Sequence, residues 1–210
     1  MPTTSASLYE QLFALTTVMK QRVVDNFSGD SINERWTQDT GSGSPTYAMD
    51  DAVDGGFKIT TGATDGYWGA IHFNDIRQYA HDGSVVIVVM QSTTSGSFNQ
   101  TESGLSDVMN TGSTDCIKLR NMFQSTNYDL FTGDGSTSSK TESSITNDTS
   151  WHVHKGELDA SNAYHTIDGT LETTKTTNLP DGKMEPYFFQ KTNTNSGRTG
   201  NIRYLEAYNT

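Results

Sequence analysis

Cysteine and positive charge are scarce in this chain of 210 residues. Its single cysteine, Cys116, excludes an intramolecular disulfide framework and gives no closed zinc site, so we expect a small core residue there. Lysine and arginine total 14 against 25 aspartate and glutamate residues, and the formal net charge is -11. Because nucleic-acid binding draws on clustered basic side chains, we expect no nucleic-acid partner.

Long apolar segments are missing as well. The longest apolar run, Val85–Met90, is far too short to cross a bilayer, so we expect no membrane partner. Residues 1–22 lack both a basic region and a continuous apolar stretch, which are the marks of a secretion signal. We therefore expect a protein that is synthesised in a host cytoplasm and leaves it only by lysis or through a dedicated machine.

The only convincing helical pattern lies within residues 1–24. Ser7 and Glu10 have the spacing of a capping box. Four apolar residues recur at helical spacing and form the predicted docking face: Leu8, Leu12, Leu15 and Met19. An amphipathic helix must cover an apolar surface, either on its own domain or on a neighbouring subunit or second copy of the chain. The sequence leaves both alternatives open.

After the helical segment the apolar period changes to two, which is typical of β-strands. Asp168-Gly169, between two such runs, is a strong signal for a tight β-hairpin. Ser84–Gln91 is almost continuously apolar and predicts a central strand covered on both faces. The polar run Ser92–Ser103 predicts a long loop or ragged hairpin, and Gly133–Ser150 predicts exposed turns and a sheet edge.

The closing half of the chain combines a strand led by Trp151, a strand ending in Ile167-Asp-Gly, a short polar strand, a turn at Pro180 and an aromatic strand. Together with Asp25-Asn-Phe-Ser-Gly-Asp, this order resembles the concanavalin A-like jelly-roll domains of the laminin G-like and glucanase-like kinds. The resemblance covers residues 25–210 and implies an all-β, two-sheet antiparallel jelly-roll sandwich, here preceded by one N-terminal α-helix. Because enzymes, lectins and particle proteins share this fold, it does not choose among them.

A short acidic pattern, Glu157-Leu-Asp159-Ala-Ser161, resembles the Glu-x-Asp-x-Glu strand of family-16-type glucanases. The resemblance implies that Glu157 would be the nucleophile and Asp159 its helper, with the general acid/base at the position of Ser161. A serine hydroxyl cannot protonate a leaving sugar at neutral pH. We therefore predict no catalytic residues, and a glycoside hydrolase is the least favoured function.

Two histidines, His152 and His154, would share one face of a strand and could meet one metal ion, with Glu157 close behind. The alternation favours another interpretation, in which both are exposed opposite a buried Trp151 and Val153. A cluster of acidic residues lacks the ligand spacing of an EF-hand calcium loop: Asp50, Asp51 and Asp54. We predict no metal site and no cofactor, and calcium binding has no pattern to support it.

Aromatic side chains stack on sugar rings as well as filling cores. Four of them are the candidates for a carbohydrate-binding surface: Tyr67, Trp68, Tyr79 and Tyr128. The alternative is burial, which is the usual place of tryptophan and tyrosine rings in a sandwich.

Two hypotheses for the function follow from the resemblance, the missing secretion signal and the missing catalytic carboxylate. The first is a non-enzymatic structural protein of a virus or phage particle, a capsid decoration or tail-associated protein located in the virion. Its partners would be other capsid or tail proteins, reached through the N-terminal helix, and it would form a homo-oligomer. The second is a carbohydrate-binding module or lectin that binds surface glycans.

Overall fold

The structure, a computed structural model, describes residues 22–50, 56–74, 78–80, 82–94, 99–108, 114–121 and 125–210. The described residues form fifteen β-strands. The strands are β1 (Arg22–Asp25), β2 (Thr37–Ser42), β3 (Thr46–Met49), β4 (Phe57–Thr60), β5 (Trp68–His72), β6 (Ser84–Ser92), β7 (Asn99–Ser106), β8 (Asp115–Asn121), β9 (Asn127–Asp134), β10 (Ser138–Thr146), β11 (His152–Leu158), β12 (Ala163–Ile167), β13 (Thr170–Lys175), β14 (Glu185–Thr192) and β15 (Thr199–Asn209).

The strands form two antiparallel sheets that pack face to face. Sheet A has the order β13-β12-β11-β6-β15-β4-β3, with β1 also paired to β15, and sheet B has the order β10-β9-β8-β7-β14-β5-β2. The prediction of an all-β, two-sheet antiparallel sandwich is therefore confirmed for the described residues. No helix long and apolar enough to span a membrane occurs in this part of the chain.

The predicted N-terminal helix, with Leu8, Leu12, Leu15 and Met19, lies outside the described residues. Residues 22–24, which the sequence pattern assigned to the helical segment, belong instead to β1. Val23 pairs with Ala207 of β15 and is buried in the core. The sandwich therefore includes the residues just before Asp25.

Sheet B is packed on both of its faces, and β14 shows this most clearly. Phe188 points between the sheets into the main core. Its neighbours Tyr187 and Phe189 point the other way and form a second apolar cluster with Ala70 and the partly buried Trp68. The three rings of β14 are fully buried, and burial of each contributes about 1.5–3 kcal/mol to folding.

Two strongly predicted features are confirmed. Ser84–Ser92 forms β6, which lies between β11 and β15 in the middle of sheet A. Asp168 and Gly169 connect β12 to β13 with φ angles of 48° and 85°, the two positive values that a tight type I′ hairpin requires.

The polar run Gly133–Ser150 contains β10, which is an edge strand of sheet B as predicted, whereas the beginning of β7 lies where a long loop or ragged hairpin was expected. Asn99–Ser103 is the first part of β7 rather than a loop. Its inward side chains bond to one another instead of packing as apolar groups: Thr101 Oγ1 donates to Gln190 Oε1 at 2.7 Å, and Gln190 Nε2 donates to Asn99 Oδ1 at 2.5 Å. Because buried polar groups are tolerated when they are hydrogen-bonded, this strand carries no apolar signal.

The inward and outward faces of β11 are the reverse of the prediction. His154 is fully buried between the sheets, and Val153 is 43 % exposed. Lys155 and Glu157 both belong outside, where they form an ion pair of 2.8 Å. Because side chains alternate along a strand, placing these two charges in solvent turns His154 inward.

Candidate functional site

The outer face of sheet B is the side that points away from the main core. It consists of the side chains that alternate with the core residues Ile71, Leu105, Ile117, Leu119, Leu130 and Phe188. We define this outer face by the following residues: Trp68, Ala70, His72, Gln100, Glu102, Gly104, Cys116, Lys118, Arg120, Asp129, Phe131, Glu185, Tyr187, Phe189 and Lys191. It combines rings and charged groups, whereas the core contains few ionisable groups.

A row of charged side chains crosses the middle of this face. Glu102 of β7, Arg120 of β8 and Asp129 of β9 are direct neighbours across the strands. Arg120 Nε donates to Asp129 Oδ1 at 2.6 Å, and Lys118 Nζ lies 3.5 Å from Glu102 Oε1. Tyr187 adds a hydrogen bond from its hydroxyl to Glu102 Oε1 at 3.1 Å. The four charged residues are at most 3 % exposed, so each charge depends on its partners.

Burial and neighbouring charges shift the pKa values of the side chains in and beside this row. Burial alone would raise the pKa of Glu102, but the positive charges of Lys118 and Arg120 outweigh it and hold that pKa below its usual range. Burial raises the pKa of Asp129 against the opposing charge of Arg120. Burial beside the Glu102 carboxylate also raises the pKa of the Tyr187 hydroxyl well above its ordinary value. Tyr187 therefore stays a hydrogen-bond donor at every physiological pH.

Two half-buried aromatic rings lie on either side of the charged row. Trp68 stacks on Phe189 with 5.5 Å between ring centroids, and the guanidinium carbon of Arg120 lies 4.0 Å from the ring centroid of Phe131. Trp68 belongs to β5 and Phe131 to β9, with β14, β7 and β8 between them. Four inter-strand spacings of ~4.8 Å separate the two rings by about 19 Å across the sheet.

Gly104 occupies the position on β7 next to Glu102 on the same face. Its φ angle is 156°, and a Cβ atom there would lie 2.1 Å from the backbone oxygen of Ile117. A side chain at this position would therefore force β7 and β8 apart. The outward row on β7 consequently has a single carboxylate, that of Glu102.

Of the four aromatic residues predicted for a carbohydrate-binding surface, the structure places Trp68 on the outer face of sheet B. Tyr67 is half-buried beside it, with its ring against Gly43. Tyr79 is fully buried, and its hydroxyl donates to the Ala207 carbonyl at 3.2 Å. Tyr128 is buried between the sheets. Neither Tyr79 nor Tyr128 is accessible to a glycan.

The acidic pattern near Glu157 does not form a row of carboxylates. Glu157 lies on the outer face of sheet A and pairs with Lys155. Asp159 accepts the backbone N–H groups of Ser161 and Asn162, each at 2.7 Å, and so closes the turn between β11 and β12. Its role is to shape that turn.

No group of three His, Cys, Asp or Glu side chains is arranged to hold an ion within the part of the chain that the structure describes. Cys116 is a small, fully buried residue on the side of β8 that carries Lys118 and Arg120, and burial raises the pKa of its thiol to about 11. Asp51 and Asp54 lie outside the described residues.

The sequence reasoning missed the charged row because it took the beginning of β7 for a loop. The signal was present as an alternation: Gln100, Glu102, Gly104 and Ser106 share one side of β7. Lys118 and Arg120 alternate in the same way between the apolar residues of β8. Two adjacent strands with opposite charges on the side away from the core predict an ion-pair row.

No protein-family profile and no curated protein sequence matches the chain. Solved structures match it closely in fold. The apo Crh5 transglycosylase superposes with a TM-score of 0.63 at 14% identity, covering 90% of this chain and 84% of that one. The β-glucanase of Bacillus licheniformis gives a TM-score of 0.65 at 11% identity, covering 90% and 98%. The carbohydrate recognition domain of Emp47p gives 0.63 at 10% identity, covering 90% and 94%.

These similarities concern the fold, and nothing in them supports the predicted role in a virus or phage particle. They include glycan-processing enzymes and a recognition domain. The described part of the chain has the concanavalin A-like, glucanase-like jelly-roll fold that both kinds of protein share.

Proposed function

We propose that this protein is a non-catalytic, lectin-like module that binds an oligosaccharide on the outer face of sheet B. The observation that carries the proposal is the combination of rings and polar groups on this face. Trp68 and Phe131 are the half-buried rings at its two ends, the half-buried Gln100 and Lys191 provide hydrogen-bonding groups beside Trp68, and the buried charged row forms the floor between the rings. Sugars are bound by such combinations, because their C–H faces stack on rings while their hydroxyls need donors and acceptors.

Two polar atoms of the charged row make no hydrogen bond within the described part of the protein. Arg120 Nη2 and Asp129 Oδ2 are buried and have no hydrogen-bond partner among the described residues. Neither atom is accessible to a glycan, so the side chains that can contact a sugar are the half-buried ones around the row.

A binding role fits this face better than catalysis does. Glycoside hydrolysis requires two carboxyl groups, one of which must deliver a proton to the leaving sugar. Asp129 is held by Arg120 at 2.6 Å, and Glu102 is held by Lys118 and Tyr187. A third buried carboxylate on this face, that of Glu185, lies 3.3 Å from His72 Nδ1, so all three carboxylates have partners in the protein. Display of the module on a particle stays a prediction, because the residues predicted to form a docking helix lie outside the described part of the chain.

Replacing Trp68 with alanine is expected to weaken glycan binding by about tenfold, which corresponds to ~1.4 kcal/mol. The stacking surface that Trp68 contributes is lost, and aromatic contacts are worth about that much. A glycan array identifies the ligand, and isothermal titration calorimetry then measures the affinity of each variant. Phe131→Ala should give a comparable loss.

Tyr208→Ala is the matched control, because Tyr208 is a half-buried ring on the outer face of sheet A. It should leave the affinity unchanged. Circular dichroism confirms that each variant is folded before its affinity is compared. Absence of binding to every glycan of the array would refute the proposed function. Equal affinity of the Trp68→Ala variant and the unaltered protein would refute it as well.

A further inference from the structure

Two histidines meet in the interior of the sandwich, on the side of sheet B opposite to the proposed glycan surface. His154 of β11 and His165 of β12 are both fully buried. Nδ1 of His154 lies 3.0 Å from Nε2 of His165, and the rings stack with 5.3 Å between centroids. At this distance a proton on one nitrogen is donated to the other, so the hydrogen bond requires both rings to be neutral or to share one added proton.

Within the part of the chain that the structure describes, no carboxylate is hydrogen-bonded to either ring of the pair. Nε2 of His154 and Nδ1 of His165 have no hydrogen-bond partner among the described residues. A second proton on the pair would place two cations 3.0 Å apart and remove the only acceptor that either ring has. Burying an unpaired charge is costly, and two like charges add to that cost.

The elements packed around the pair supply few ionisable groups. From β9, Tyr128 lies edge-on against His154 with 4.9 Å between centroids. On β11, His152 is hydrogen-bonded to Asp148 at 3.0 Å and to Asp168 at 2.6 Å. From β13, Lys175 bonds to hydroxyls of β10. The inward side chains of β6 and β8 near the pair do not ionise: Val88, Met90, Leu119 and Asn121.

We propose that the His154–His165 pair is an acid-sensitive lock, which holds β11 and β12 of sheet A against β8 and β9 of sheet B at neutral pH and releases this end of the sandwich in mild acid. The contact between Tyr128 and His154 joins the two sheets at this end. Hydration of a charged pair requires the sheets to separate there, because neither free nitrogen can reach solvent in the closed state.

The direction of the pH dependence follows from the protonation of the two states. Burial and the neighbouring His165 lower the pKa of His154 well below its ordinary value, and burial lowers the pKa of His165 to about 3. In the unfolded chain both histidines titrate near pH 6.5. The stabilising effect of the neutral pair is therefore complete above pH ~6.5 and is lost progressively as the pH falls from there toward the folded-state values.

His152 titrates in the opposite direction and gives a useful control. Its partial burial lowers the pKa, but the hydrogen bonds to Asp168 and Asp148 outweigh this effect and raise it. Its stabilising contribution is therefore complete below pH ~6.5 and is lost as the pH rises through the raised pKa. Carboxylates lose their contributions only below pH ~4.3, so between pH 6.5 and 5.0 the buried pair dominates.

Urea unfolding of the full chain between pH 7.5 and pH 5.0 tests the lock. From pH 6.5 to pH 5.0 the unfolding constant should rise about 16-fold for each histidine that stays neutral in the folded protein. His165→Gln removes one titrating group and should reduce this rise by about 16-fold. His152→Gln should leave the slope below pH 6.5 unchanged. A His165→Gln variant as acid-sensitive as the unaltered protein would overturn the proposal.

Amide hydrogen exchange on the unaltered protein provides a second readout that no substitution can disturb. After correction for the intrinsic pH dependence of exchange, amides of β8, β9, β11 and β12 should exchange faster at pH 5.0 than at pH 7.5. Amides of β5 and β14, at the other side of sheet B, should keep their protection. Uniform loss of protection, or none, would contradict a local lock. Neither experiment requires a glycan, so the lock and the proposed function can fail separately.

Discussion

Replacing Arg120 with methionine is expected to destabilise the protein by about 3–5 kcal/mol. Arg120 is 3 % exposed and binds Asp129, which is fully buried, while its charge also lowers the pKa of Glu102. Methionine fills much of the same volume but leaves the Asp129 carboxylate without its cation. Breaking a buried ion pair from one side is costly, because the remaining charge has neither water nor partner. Urea unfolding at pH 7 measures the difference.

Two further variants separate the lost charge from lost packing. Lys140→Met breaks an exposed pair with Glu142 and should cost less than ~1 kcal/mol. The double variant Arg120→Met, Asp129→Leu removes both buried charges and should recover most of the stability, because an apolar pair of similar volume replaces a buried ion pair at little cost. An Arg120→Met variant within ~0.5 kcal/mol of the unaltered protein would show that the charged row is not buried as described.

Gly104→Ala is expected to cost about 2–5 kcal/mol, the second large effect that we predict. The added Cβ would lie 2.1 Å from the backbone oxygen of Ile117, on the strand paired with β7. A backbone atom cannot move aside as the end of a side chain can, so β7 and β8 must separate, which costs about 1–3 kcal/mol. The positive φ of 156° adds ~1–2 kcal/mol for a residue with a side chain.

Gly66→Ala is the matched control for this substitution. Gly66 also has a positive φ, of 85°, but nothing lies within 4 Å of the position where its Cβ would be. It should lose only the conformational part, ~1–2 kcal/mol. The difference between the two variants, measured by thermal or urea unfolding, isolates the close approach of β7 to β8. Equal losses at both glycines would mean that this approach is not as tight as described.

The fold could be predicted because several local signals agree with the final structure. The apolar residues of Ser84–Ser92 require a covered strand, and Asp168-Gly169 requires a tight turn between its neighbours. These signals depend on short stretches of chain, so they can be recognised without knowing which residues pack against them. The order of strands in the closing half then sufficed for the sandwich.

The candidate site could not be predicted, because it depends on contacts between residues that are far apart in the sequence. Glu102 resembles any polar residue of a loop until Lys118 and Arg120 are placed on the adjacent strand. The inward hydroxyls and amides of β7 are acceptable in a core only because Gln190 of β14 bonds to them. A polar strand whose partners are far away in sequence offers no periodic apolar signal.

The faces of β11 were misassigned for a related reason. The sequence suggested that Val153, as an apolar residue, would be inside and His154 outside. The pairing of Lys155 with Glu157 on the solvent side determines the alternation, and His165 on the next strand gives His154 a buried partner. A histidine can be buried when it is neutral and hydrogen-bonded, which hydropathy alone does not indicate.

The most direct test of glycan binding at the outer face of sheet B is a nuclear magnetic resonance titration with the oligosaccharide that the array identifies. We predict that the signals of the Trp68 indole N–H and of the backbone amides of Gln100 and Arg120 shift when the ligand is added. The chemical shifts of the amides of Val153 and Leu171, on the outer face of sheet A, should not change. Shifts confined to the outer face of sheet A, with the Trp68 signal unmoved, would contradict the account.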